Sequence, residues 1–358
     1  MESTAKHDWP MVSLLETADD VTRGHKKVPK SAYEEVGSTP IVDQSMDFIC
    51  GYTDEVPTLV SPPYIVFGDH TRELKYIDFP FVPGADGVKV LKPAEGIAPK
   101  FLYFYLKAHP VQELGYSRHF KLLKELAIPL PPLDEQRRIA AILDEVEAAI
   151  SAAKSQLSEL SAIPFWMGDR KFELVALSEL VDIRSSQVDP TSEPYMSMPH
   201  IAPNNLSSGS DEIVGVKSAA EDGVTSGKYA FQAGDILYSK IRPYLNKVSV
   251  AAYDGVCSAD MYALVPKNKA QTDWIVWQLR SSRFLAYAAS SSGRASIPKI
   301  NRKALRAFKV QLVEPAVLEQ FNREQNVKKA LANSVRAKLH LLQELQSSLS
   351  TRAFQGEL

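Results

Sequence analysis

Residues 126–161 read LAIPLPPLDEQRRIAAILDEVEAAISAAKSQLSELS, and this stretch decides the fold. Pro129, Pro131 and Pro132 fix φ and remove amide donors, so residues 128–133 form an extended lead-in. Asp134 is a favourable helix N-cap, and Glu135 in a first turn complements the helix dipole. Beyond them Ile139, Ile142, Val146, Ala149, Ala153, Leu157 and Leu160 recur at steps of three and four. That spacing predicts a long helix with a coiled-coil seam. At the helical rise, residues 134–161 span roughly 42 Å.

A seam needs a partner. Residues 314–320, EPAVLEQ, repeat the order apolar, Pro, Leu, acid, Gln and open a second helix. Pro315 suits its first turn. Leu331, Val335, Leu339, Leu342, Leu345 and Leu349 supply its seam, and Lys328, Arg336, Lys338 and Gln343 are expected to face water. The alternative, two ordinary core helices of one large domain, leaves the similarity of the two lead-ins without a reason.

Residues 128–150, IPLPPLDEQRRIAAILDEVEAAI, resemble the central conserved region of the specificity subunit of type I restriction-modification systems. Residues 349–358, LSTRAFQGEL, resemble the last residues of the same family. The resemblance implies two target recognition domains, separated and tied together by an antiparallel pair of conserved helices. It also implies a non-catalytic scaffold that binds double-stranded DNA, two methyltransferase subunits and the restriction (motor-nuclease) subunits. It implies no cofactor for this chain, because the methyl donor, ATP and magnesium would belong to the partners.

Composition fits this reading. The chain has 358 residues, with 45% hydrophobic and 23% charged, ordinary for a soluble protein of two or three domains. No apolar run approaches the ~18 residues of a membrane span. The opening MESTAKHDWP lacks the apolar core of a signal peptide. Cys50 and Cys257 lie far apart, which predicts two buried thiols in a reducing cytoplasm and no metal site. The net charge of −2 argues against simple non-specific DNA binding, but residues 217–309 hold 15 Lys/Arg against 6 Asp/Glu. Residues 11–132 hold 13 against 16, and residues 133–163 hold 3 against 6. A phosphate-binding face is therefore expected in the second half and is less evident in the first.

The two halves repeat. Trp9, Val12 and Leu14 recur as Phe172, Val175 and Leu177 at a constant offset of 163. The strand YIVFGD (64–69) is matched by DILYSK (235–240), and Arg72 and Arg242 follow them. Residues 85–91 match 259–265, and helices are predicted over 99–108 and 272–282. Each half then has a basic segment, 118–121 and 294–299, a lead-in and a seam helix. The predicted fold is mixed α/β (α+β). Two globular recognition domains, residues 1–132 and 164–314, are joined by two long antiparallel coiled-coil helices, residues 133–163 and 315–358, as a pseudo-two-fold duplication. GDRK (168–171) is the linker into the second half.

Catalytic motifs are missing. There is no G-x-x-x-x-G-K-[ST], H-E-x-x-H or C-x-x-C. Ser61-Pro62-Pro63-Tyr64 has the form of an adenine methyltransferase loop, but no Gly-rich methyl-donor loop accompanies it and its repeat counterpart lacks it. It reads as a turn before a strand. Asp69-His70 has no evident nucleophile and reads as a polar loop.

The remaining chemistry is recognition. Arg can be bidentate to guanine, Asn and Gln to adenine, while Lys and Ser mostly hold phosphates. In the second half the candidate DNA-binding residues are Arg184, Lys240, Arg242, Tyr244, Asn246, Lys247, Arg294, Ser296 and Lys299. In the first half they are Lys26, Lys27, Gln44, His70, Arg72, Lys75, Arg118, His119 and Lys121. With a rod of ~42 Å and ~3.4 Å per base pair, two domains at its ends would read an asymmetric, bipartite target spaced by about 12 base pairs. Three other functions are open at this point. One is the specificity subunit of a related defence system, the second is a coiled-coil adaptor that binds protein only, and the third is an enzyme built around Ser61–Tyr64.

Overall fold

A computed structural model describes residues 9–84, 87–115, 117–163, 165, 172–291 and 297–358. The chain forms two compact units. Unit 1 comprises residues 1–157 and 335–358, and unit 2 comprises residues 158–334.

Unit 1 begins with β1 (Met11–Ser13), α1 (Leu14–Thr17) and β2 (Ala18–Asp20). Glu16 accepts the Ser13 amide at 2.7 Å and so closes the first turn of α1. Then follow β3 (Thr39–Val42), β4 (Gly51–Thr53), β5 (Tyr64–Gly68), β6 (Leu74–Ile77), β7 (Val82–Pro83) and β8 (Val88–Pro93). Strands β2-β8-β5-β6 make an antiparallel sheet. Strands β4-β3-β7 make a second, in which β3 and β7 run parallel. The run YIVFG of β5 is buried throughout. Because side chains alternate across a strand, it serves two cores. Ile65 and Phe67 pack with α2 (Pro99–Ala108) and α3 (Phe120–Lys124), while Tyr64 and Val66 pack with Val42, Leu59, Phe81, Val88 and Val90. The chain returns through β9 (Ala127–Pro129), antiparallel to β1, and enters α4 (Leu133–Ala162).

Unit 2 repeats this order. β10 (Glu173–Ala176), α5 (Leu177–Leu180) and β11 (Val181–Ile183) keep the 163-residue offset from β1, α1 and β2. After them come β12 (Gln187–Val188), β13 (Pro199–Ile201), β14 (Lys217–Ser218), β15 (Lys228–Phe231), β16 (Ile236–Ser239), β17 (Val248–Val250), β18 (Gly255–Cys257) and β19 (Met261–Pro266). The sheet β11-β19-β16-β17 corresponds to β2-β8-β5-β6. In the other sheet, β12-β15-β18-β13-β14, the parallel pair β13 and β18 corresponds to β3 and β7. Ile236 and Tyr238 of β16 join one core and Leu237 the other, as in β5. Helices α6 (Thr272–Arg280), α7 (Ser282–Ser290) and α8 (Arg302–Ala307), strand β20 (Lys309–Leu312) and α9 (Pro315–Phe354) complete the order.

Several expectations are corrected. The helix predicted over 272–282 breaks at Ser281, whose hydroxyl caps α7 by accepting the Phe284 amide at 3.2 Å. Leu91 lies opposite Ile65 and Leu264 opposite Ile236, so Leu91 corresponds to Leu264 rather than to Val265. One residue of slip would turn every side chain to the other face. Asp134 is not the N-cap. Pro132 O accepts the Glu135 and Gln136 amides at 2.9 and 3.0 Å, and Asp134 sits in the first turn with its side chain 96% exposed. Cys257 is buried but Cys50 only partly so. The proposed linker at 168–171 lies outside the described residues.

The seams also shift. On α4 the buried positions include Ile139, Ala140, Leu143, Val146, Ile150 and Ala153, so Leu143 and Ile150 replace Ile142 and Ala149 in the seam. On α9 Val335 is buried and Leu339, Leu342 and Leu349 are partly so, whereas Leu331 and Leu345 are 42% and 46% exposed. Lys328 and Arg336 are half-buried rather than solvated, and Lys328 donates to Ile163 O at 2.7 Å. Within unit 1, Gln346 donates to Glu147 at 2.5 Å and Arg138 reaches Leu358 O at 2.8 Å. Rising positions on α4 meet falling positions along α9, so these segments run antiparallel. The two Gln residues of the lead-ins also differ. Gln136 is 2% exposed and accepts the Ala98 amide at the start of α2 at 2.8 Å, whereas Gln320 is exposed.

Candidate nucleic-acid interface

In unit 1 the turn leaving β5 is fixed from several sides. Asp69 is buried. Its carbonyl accepts the amide and the Nδ1–H of His119 at 2.8 and 2.9 Å, and its carboxylate accepts the Phe120 amide at 2.8 Å. The Leu114 amide donates to His119 Nε2 at 3.1 Å, which sets the tautomer. Gln44 Oε1 accepts the His70 amide, and His70 Nδ1 lies 3.2 Å from Ser117 O. Arg72, at φ 64°, donates to Val111 O and to Glu113 at 3.3 and 2.7 Å. Lys75 is 5% exposed and donates to Asp43 O and Asp47 O at 2.8 and 2.5 Å. Gln44, His70, Arg72, Lys75 and His119 thus build the framework of this edge.

Around that framework Arg118 and Lys121 are exposed. Lys89 and Lys124 lie 4.8 and 5.5 Å from the Phe120 ring centroid. Lys27 is exposed, and Lys26 is exposed beside Glu55 at 2.5 Å. Tyr64 is 6% exposed and its hydroxyl accepts the Ser61 amide at 3.2 Å. The Ser-Pro-Pro-Tyr sequence is accordingly a turn ahead of β5 with its ring in a core.

In unit 2 the corresponding edge is cationic and aromatic. The Lys240 ammonium lies 5.6 Å and the Arg302 guanidinium 5.9 Å from the Tyr262 ring centroid. Burial lowers the Lys240 pKa. Asp260 opposes the shift, and Lys299 and Arg302 add to it. Ile241 bridges to Lys299, and the Arg242 amide donates to Pro298 O at 2.7 Å. Arg242 and Asn246 take left-handed φ values of 47° and 52° on either side of a single turn, Pro243–Leu245, which leaves Tyr244 59% exposed. Lys240, Arg242, Tyr244 and Lys299 are therefore brought together.

Asn246, Lys247 and Arg184 are held internally. Asn246 Nδ2 donates to Arg280 O at 3.4 Å, and Lys247 donates to Pro203 O at 2.8 Å. Arg184 pairs with buried Asp235 at 2.6 Å. Arg294 and Ser296 lie outside the described residues.

Sequence reasoning missed Lys89, Lys124, Tyr262 and Arg302. It also missed a shallow concave face of about 520 Å³ lined by Ala176, Ser178, Arg302, Lys303, Arg306 and Ala307. The run NRKALRAFK (301–309), inside the basic region, was the available signal. Exposed cations of this kind can hold phosphates, and Arg242 and Tyr244 can reach base edges. Among the described residues no group of His, Cys, Asp and Glu could hold a metal ion, and no helix is long and apolar enough to cross a membrane.

Comparison with known proteins points the same way. Residues 7–162 match the family described as the type I restriction modification DNA specificity domain. The type I restriction enzyme EcoDI specificity subunit of Escherichia coli is 35% identical over 206 residues, 56% of this chain and 44% of that protein. The EcoR124I/EcoR124II specificity subunit of Escherichia coli is 25% identical over 138 residues, 36% of this chain and 34% of that protein. The matches thus span less than half the length of these curated relatives. The crystal structure of the type I restriction-modification S subunit from M. genitalium shares the fold, with a TM-score of 0.55 and 14% identity over 99% of this chain and 98% of that one. Residues 7–162 are thus similar to the DNA specificity domain of type I restriction-modification systems, and the chain shares the fold of a solved S subunit of such a system.

Proposed function

We propose that this chain is the DNA-specificity subunit of a type I restriction-modification complex. Residues 1–132 and 164–314 act as two target recognition domains that read the two halves of an asymmetric, bipartite site in double-stranded DNA. The observation that carries this reading is the duplication: the sheet β2-β8-β5-β6 recurs as β11-β19-β16-β17, and each unit sets half-buried cations over an aromatic ring beside it, Lys89 over Phe120 and Lys240 over Tyr262. Arg118, Lys121, Lys240, Arg242, Tyr244 and Lys299 are the DNA-facing set. Gln44, His70, Arg72, Lys75, His119, Arg184, Asn246 and Lys247 position it. Because the halves differ in sequence, the half-sites differ.

Methyltransferase and restriction subunits are the proposed protein partners in the cytoplasm. Apolar side chains on α9 give helices of a partner a surface to cover: Val327 and Leu331 in unit 2 are 68% and 42% exposed, and Leu341 and Leu345 in unit 1 are 64% and 46% exposed. Catalysis, with its methyl donor, ATP and magnesium, resides in those partners. The test is binding of the full chain to duplex DNA across a salt series. Affinity falling linearly on a log–log plot, with a slope set by the number of phosphates contacted, supports the reading. Absent binding beside intact protein assembly favours the adaptor.

A further inference from the structure

Met46 and Phe48 stand at the tip of a loop, residues 43–50, that is held far more firmly than its exposure suggests. Met46 is 85% and Phe48 50% exposed. The root of the loop is fixed internally. Asp43 Oδ1 accepts the Ser45 amide and the Cys50 thiol, both at 2.8 Å, and Cys50 N donates to Ile41 O at 2.9 Å. Buried Lys75 clamps both arms through Asp43 O and Asp47 O. The Phe48 ring stands edge-on to Phe79 at 5.9 Å.

The loop is also joined to the cationic edge. Thr71 donates to Gln44 O at 2.5 Å and the His70 amide to Gln44 Oε1, while His70 Nδ1 reaches Ser117 O, next to exposed Arg118. Gly87, at φ 85°, permits this, because a Cβ there would lie 2.5 Å from the Gln44 amide. Apolar side chains on a rigid support, one hydrogen-bonded step from exposed cations, match a duplex, whose phosphates take the cations and whose major groove offers thymine methyl groups.

Resting on the function proposed above, we infer that the 43–50 loop is a base-contacting prong of the first recognition domain, with Met46 and Phe48 laid against thymine methyls while Arg118 and Lys121 hold the flanking phosphates.

The test selects binding sites for the full chain from a randomised duplex DNA library and compares wild type with M46A/F48A and with R118A/K121A. Both pairs are exposed, so circular dichroism should show unchanged folding. The expected result for M46A/F48A is about a tenfold loss of discrimination at one or two T·A positions of a single half-site, with the other half-site unchanged. R118A/K121A should weaken binding evenly across sequences and reduce the salt slope. Identical selected sites for wild type and M46A/F48A overturn the prong while the specificity function stands. Loss of a protein partner with unchanged sites overturns it in favour of a protein-docking role. No enriched site even for wild type overturns both the prong and the function on which it rests.

Discussion

Leu143→Ala and Ile142→Ala distinguish the seam that the fold uses from its neighbour. Leu143 is 0% exposed and packs in the core of unit 1 with Phe101, Leu102, Ile139 and Phe354, whereas Ile142 is only partly buried. Truncating a fully buried Leu costs about 2–5 kcal/mol, because lost transfer energy and the cavity add. A partly exposed aliphatic side chain costs about 1 kcal/mol or less. Unit 1 is a domain of roughly 180 residues, for which 1 kcal/mol moves the melting temperature by about 2–4 °C. Leu143→Ala at about 3–4 kcal/mol should therefore lower the melting temperature of unit 1 by roughly 6–16 °C, and Ile142→Ala by about 4 °C or less. Differential scanning calorimetry measures both. Equal shifts, or the larger shift in Ile142→Ala, would refute the seam through Leu143 and Ile150.

Other outcomes follow from the sites. Lys75→Met leaves Asp43 O and Asp47 O without their buried donor and should cost about 1–3 kcal/mol in urea titration, whereas exposed Lys121→Ala should cost under about 0.5 kcal/mol. Arg184→Ala leaves the buried Asp235 carboxylate without its cation, though still accepting the Gln232 amide at 2.9 Å, and should destabilise unit 2 by about 1–3 kcal/mol, read in calorimetry. Burial works against the charge on Asp43, but hydrogen bonds from Cys50, Ser45 and Tyr33 outweigh it and lower its pKa to about 2. Because the folded value lies below the unfolded one, the resulting stability is present above about pH 4 and fades as pH falls towards 2. Asp43→Asn should abolish that part of the acid dependence in denaturant titrations. Lys240→Ala with Lys299→Ala should reduce DNA affinity and the salt slope, by about two if both touch phosphates, and an unchanged slope in fluorescence anisotropy would contradict it.

The architecture was legible where the chain repeats itself. The 163-residue offset of Trp9, Val12 and Leu14 survives in the folded units because β1 and β10 end in register and α1 and β2 have the same lengths as α5 and β11. The helix over 99–108 was legible from its apolar spacing and Pro99. The seam was legible as a period but not as a phase. Ile142 and Leu143, like Ala149 and Ile150, are adjacent apolar residues, and only tertiary packing decides which points inward.

Individual site residues were the least legible. Lys75 and His119 have the composition of a basic edge, but the backbone brings free carbonyls of Asp43, Asp47 and Asp69 to them, and internal hydrogen bonding fixes them in the framework. Arg302 was passed over because its proximity to Lys240 depends on the bridge between Ile241 and Lys299, a contact across 58 residues. Met46 and Phe48 read as ordinary apolar residues until the loop beneath them proved rigid.

On the proposed function, this chain alone decides which DNA sequence its complex marks. The direct measurement is co-expression with the proposed methyltransferase partner in a host lacking other adenine methylation, followed by mapping of modified adenines across the genome. One asymmetric motif in two parts, absent when this chain is omitted, is the predicted result. An assembled complex that modifies no defined sequence, or one whose motif is unchanged without this chain, would contradict it.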